Sequence, residues 1–147
     1  MKKIVMYLCL VFPVIFASCV NNDDNIDSVN AIVGTWENTG SLPKEVSVTG
    51  NDNLKTKIVE DLTATYGNGH IFTFHENGNV TLDGNNYATY TLSGKSILFS
   101  GAHSYSSEFS VVSDILTIYD DVTKEYKDAY PNDVINKVIV ARMYAKK

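Results

Sequence analysis

The chain has 147 residues, 44% of them hydrophobic and 20% charged, with a formal net charge of −5. That length suits one domain, able to bury roughly two-thirds of the surface its unfolded chain would expose. The acidic balance argues against nucleic acid or an anionic membrane surface as partners, because both repel it.

Residues 1–18 open with Lys2 and Lys3, followed by an apolar run from Ile4 to Phe16. The run is shorter than the roughly 20 residues of a membrane span and fits the apolar segment of a secretory signal. Phe16-Ala17-Ser18-Cys19 resembles a bacterial lipobox, which implies cleavage before Cys19 and lipidation of its thiol. The implied partner is then the membrane, held through an N-terminal lipid anchor. Each buried acyl methylene contributes about 0.8 kcal/mol, so several chains hold a domain permanently where one does so only reversibly. Cys9 leaves with the signal, and a single remaining cysteine allows no internal disulfide. Without Lys2 and Lys3 there are 10 basic against 17 acidic residues, a net charge of −7.

Residues 19–30 are polar, acidic and aperiodic, and read as a flexible tether. Asn21-Asn22-Asp23-Asp24 resembles the acidic export signal of some surface lipoproteins. The resemblance implies an outer-membrane lipoprotein, exposed at the cell surface or, as the alternative, facing the periplasm. Val20 is not the Asp associated with inner-membrane retention.

The folded domain is expected over 31–147. A first strand covers 31–38. Leu54, Ile58 and Leu62 then recur at spacing four, predicting an amphipathic helix over 53–65. Asn51, Asp52 or Asn53 can cap its start and Gly67 its end. Its apolar stripe is narrow, so the helix is expected to lie on the barrel rather than inside it. From residue 70 the period is two. Strands are predicted at 70–76, 79–83, 87–92, 96–100, 104–112, 115–121 and 134–145. Asn77-Gly78 between the first two of these suggests a type I′ hairpin turn. The polar stretch 122–133 reads as a loop. About eight short-linked strands, each with one apolar face, can close on themselves and remove the exposed edges.

Gly34-Thr35-Trp36 on a first strand, then a helical segment, then a meander, resembles the calycin superfamily, most of all the lipocalin-like domains of bacterial lipoproteins. The resemblance implies an all-β fold: an eight-stranded antiparallel up-and-down barrel with one short helix between the first two strands. In lipocalins the Trp of this motif packs at the closed end of the barrel, under an Arg from the last strand. Trp36 and Arg142, the only Trp and the only Arg, are implied to close the floor in that way. A guanidinium over an indole gains roughly 0.5–2 kcal/mol. The alternative is an ordinary core tryptophan and a surface arginine. The end of the chain also resembles fatty-acid-binding proteins, where an Arg-x-Tyr pair holds a ligand carboxylate, as Arg142 and Tyr144 would here. The single helix and lower strand count depart from that branch.

Among other chemistry, His70, His75 and His103 are the only histidines, and His70 and His75 point to opposite faces of one strand. Asp120, Asp121, Glu125, Asp128 and Asp133 lack the spacing of a calcium loop. No catalytic residue, metal site or cofactor is expected. Phe72, Phe74, Tyr90, Phe99, Tyr105, Phe109 and Tyr144 would line or fill the barrel, whose interior holds side chains or one small ligand. The expected function is a non-enzymatic, lipid-anchored envelope domain that binds a small hydrophobic or amphipathic ligand. The mouth is expected at the helix and at the 84–86 and 101–103 loops. The alternative is a packed barrel serving as an accessory or scaffold subunit of an envelope protein complex, with Tyr119, Tyr126 and Tyr130 as exposed anchors.

Overall fold

Alternation along the strands decides what faces inward. Ile97 and Phe99 are buried while Ser96, Leu98 and Ser100 between and beside them are exposed. Similar alternation on β6 and β7 leaves one apolar face per strand, and such faces meet by closing the sheet. The computed structural model describes residues 31–65, 69–101 and 104–147. The signal segment, Cys19, the tether, Gly67 and His103 lie outside the described residues.

Eight antiparallel strands close into a barrel in chain order. They are β1 (Gly34–Thr49), β2 (Ile71–Phe74), β3 (Asn79–Leu82), β4 (Asn85–Ser93), β5 (Ser96–Ser100), β6 (Tyr105–Val112), β7 (Ile115–Asp121) and β8 (Val134–Lys146). Helix α1 (Asp52–Thr65) joins β1 to β2, and helix α2 (Thr123–Ala129) joins β7 to β8. The all-β class, the strand count and the helix between the first two strands agree with the sequence.

Three details differ. First, β1 runs eleven residues past its expected end, to Thr49. Bulges between Asn38 and Gly40, Pro43 and Glu45, and Ser47 and Val48 shift its register against β8. Each bulge resets which face a side chain takes, so the period-two signal disappears although the pairing continues. Second, the 122–133 stretch contains α2. Third, the Asn77-Gly78 hairpin forms, but only Gly78 has positive φ, at 81°. The loop closes by Gly78 N–H donating to the His75 carbonyl at 3.0 Å. A Cβ at Gly78 would meet the Tyr90 carbonyl oxygen at 3.3 Å. Two-residue turns with positive φ at both positions occur instead at Asp83-Gly84 and Ser113-Asp114.

The core has two parts. Trp36, Phe74, Val80, Ile97, Phe99 and Leu116 pack within the barrel. Leu54, Ile58 and Leu62 of α1 pack with Val122, Ile135, Val138 and Val140. Val138, Val140, Arg142 and Tyr144 share one face of β8 by alternation. Tyr144 belongs to the barrel core, so α1 rests on a continuation of the inner face. β1 and β8, 16 and 13 residues long, outrun their neighbours, and that overhang needs cover. The helix therefore caps one end of the barrel.

Local chemistry fixes this cap. Asn51 Oδ1 accepts from the Leu54 amide at 3.0 Å, and Asn51 Nδ2 donates to Asp133 Oδ1 at 2.8 Å. Ser41 Oγ donates to the Leu62 carbonyl at 2.8 Å. Asn51→Ala removes the helix N-cap and the tie to the α2–β8 loop together. We expect a loss of about 1 kcal/mol in chemical denaturation.

Candidate functional site

At the end where the described chain enters, Trp36 is fully buried. Its Nε1 donates to the Ile32 carbonyl at 2.7 Å. The cation over its ring is Lys146, with Nζ 5.6 Å from the centroid. The expected Trp36–Arg142 closure is thus corrected. In the β1–β8 ladder Trp36 stands opposite Lys146, whereas Arg142 stands opposite Ser41. Four residues of strand separate the two levels, about 13 Å. Arg142 turns instead to Asp120, with Nε 3.1 Å from Oδ2.

The aromatic residues mostly fill space. Phe74, Tyr90, Phe99, Phe109 and Tyr144 are buried. Phe74 meets Tyr90 edge-on at 5.2 Å, Phe72 meets Tyr144 edge-on at 5.5 Å, and Phe99 stacks on Tyr105 at 4.9 Å. Such contacts add roughly 0.5–1.5 kcal/mol each beyond area burial. Of the seven residues expected to line a ligand site, Tyr105 alone borders a cleft at the opposite end of the barrel.

That cleft has a volume of about 400 Å³ and lies toward the α1/α2 end, away from Trp36. Tyr87, Tyr105, Ser107, Asp120, Glu125 and Arg142 border it, with Val122 as an apolar wall. Asp120 is buried on the inner face of β7, in series with Leu116 and Ile118. Its Oδ1 accepts from the Ser107 hydroxyl and its Oδ2 faces Arg142. The Tyr87 and Tyr105 hydroxyls lie 3.2 Å apart. Burial pushes the Tyr105 phenol up, the Tyr87 hydrogen bond and the Asp120 charge push the same way, and Arg142 opposes them. Tyr105 therefore stays a neutral donor through the ordinary pH range.

Arg142 and Tyr144 do meet, as the spacing suggested. The Tyr144 phenol is raised by burial and lowered in part by Arg142 and by hydrogen bonds to Asn38 and Arg142. The carboxylate on this arginine, however, is the protein's own Asp120. Asp120, Ser107 and Tyr87 are the site residues the sequence reading missed. In sequence Asp120 looks like the start of the acidic stretch that follows it, yet alternation with Leu116 and Ile118 puts it inside. Among the described residues no cluster of His, Cys, Asp or Glu is arranged to hold a metal.

At the rim, Asp121 accepts from Lys137 and from Thr123. The Lys137 hydrogen bond first, then those of Thr123, hold its carboxyl down to about 2, from an ordinary 3.8. A lowered folded-state value means stability that is present above 3.8 and lost as pH falls through about 2. The Asp121 side chain is 49% exposed, so solvent screening limits this to about 1 kcal/mol. Asp121→Asn is expected to flatten the stability–pH curve between about pH 5 and pH 2, read by urea denaturation at each pH.

The geometry defines a class: a closed eight-stranded antiparallel barrel, packed at one end and helix-capped at the other, with a half-buried polar cleft near the cap. No family model, curated protein or solved structure matches this chain.

Proposed function

We propose that this is a lipid-anchored, outer-membrane envelope domain of lipocalin-like type that binds a small hydrophobic or amphipathic ligand without converting it. The observation that carries the reading is the cleft of about 400 Å³. Its size falls in the range of roughly 300–1,000 Å³ that holds small molecules. Aromatic rings and Val122 offer apolar contact there, and a few convergent polar groups offer orientation. Ser106 also borders the cleft and is itself exposed, so Ser106→Trp fills the space without entering the core. Mass spectrometry of organic extracts from natively purified protein is expected to find a co-purifying molecule that Ser106→Trp lacks. An empty extract from both proteins counts against the reading.

The packed interior favours a second reading, an accessory or scaffold subunit of an envelope complex. The three tyrosines expected as exposed anchors are engaged within the protein. Tyr126 and Tyr130 stack on one another half-buried, and Tyr126 donates to Asp61 of α1 at 3.0 Å. Lys44 covers the Tyr119 ring at 3.9 Å. One specific protein partner recovered by crosslinking intact cells supports this second reading over the first.

A further inference from the structure

We infer that the cleft takes an amphiphile with an uncharged, hydroxyl-bearing head and rejects carboxylates, with Asp120 as the specificity-determining residue. This rests on the ligand-binding reading above.

The inner face of β7 runs Leu116, Ile118, Asp120. Packing alone would call for a third apolar residue there, since a buried carboxylate is costly unless paired. The Asp120 side chain is only 10% exposed, and both of its oxygens are engaged, by Ser107 and by Arg142. Among the described residues the guanidinium is the one cationic group bordering the cleft, and Asp120 faces it at 3.1 Å. An incoming carboxylate would meet Asp120 at depth and Asp121 and Glu125 at the rim. Lys137 reaches Asp121 but does not border the cleft. An ammonium head would meet Arg142.

A hydroxyl avoids both conflicts. It can accept from a guanidinium and donate to a carboxylate in one position, as neither charged head can. The adjoining Tyr87 and Tyr105 hydroxyls, 3.2 Å apart, extend the same mixed donor and acceptor surface. The sugar or polyol end of an amphiphile matches it, with the tail against Val122 and the tyrosine rings.

Three probes with one tail test this: octyl glucoside, octanoate and octylammonium, each titrated below its micellar concentration into the full-length protein by calorimetry. Octyl glucoside is expected to bind wild type at least about tenfold tighter than either charged probe, and Ser106→Trp is expected to abolish that binding. Asp120→Asn is expected to shift preference toward octanoate by about tenfold or more, because Arg142 then lacks its internal anion. Octanoate or octylammonium matching octyl glucoside on wild type overturns the inference and leaves the cleft reading standing. An unchanged ranking in Asp120→Asn, or octyl glucoside binding that survives Ser106→Trp, does the same. If all three fail to bind wild type, the cleft reading falls and this inference with it. Should Asp120→Asn fail to fold, the wild-type ranking alone decides.

Discussion

Trp36→Ala is expected to cost about 4 kcal/mol, the largest effect of any single truncation in the barrel. Trp36 heads the fully buried side chains by volume. Its removal opens a cavity, leaves the Ile32 carbonyl without its 2.7 Å donor, and strips the surface under Lys146. Neighbours cannot collapse into the gap, because Trp36 sits in a ladder paired on both sides, with Phe72 and with Lys146. Urea denaturation followed by circular dichroism measures it, since the variant has lost the chain's only tryptophan. A loss below about 1.5 kcal/mol would mean that this end is not closed by the indole. Trp36→Phe retains most of the volume and is expected to lose about 1–2 kcal/mol, mainly from the orphaned carbonyl.

The second large effect concerns Arg142. Arg142→Met leaves Asp120 as an uncompensated carboxylate in a buried position, and we expect a loss of about 3 kcal/mol. Replacing both partners, as Asp120→Leu with Arg142→Met, removes the charge problem and is expected to recover most of that loss. The expected sign comes from burial: Asp120 is 10% exposed and Arg142 26% exposed at the side chain, so water screens the pair little. A double-mutant cycle measures the coupling. If the double variant loses as much as the two singles together, the pair is not the interaction holding these residues inside. The stability result is independent of ligand, because it tests the pair in the empty protein.

How far the sequence leads depends on whether a signal is local. The seven strands from β2 to β8 announce themselves by alternation, and their observed limits fall within a few residues of the expected ones. The helix over Leu54, Ile58 and Leu62 is equally plain, with its cap at Asn51. The second half of β1 is hidden because Gly40, Pro43 and three bulges scramble the period on which the reading depends. Helix α2 is hidden for another reason. Five of its seven residues are Thr, Lys, Glu or Asp and none is buried, so it carries no stripe; Thr123, which accepts from the Val138 amide, and Tyr126, which donates to Asp61, tie it down.

The site was less legible than the fold. That Arg142 and Tyr144 face inward together follows from spacing. That Arg142 answers to Asp120 rather than to Trp36 depends on a register of β1 against β8 that the hidden bulges set. Lys146 stands over the indole for the same reason. A motif can thus be read at both ends of a chain while the partner of each residue remains a matter of ladder position.

The ladder has no seam, and that bears on where the chain could be cut. β1 and β8 are hydrogen-bonded neighbours, and the Lys147 amide donates to the Thr35 carbonyl at 2.9 Å. Residues 31 and 147 could be joined by a linker that leaves Ile32 in place against the indole, and new termini opened at the tight Ser113-Asp114 bend. Such a circular permutant would keep every rung of the cylinder. It would also move the attachment point of any preceding segment from the tryptophan strand to a different hairpin on the same rim.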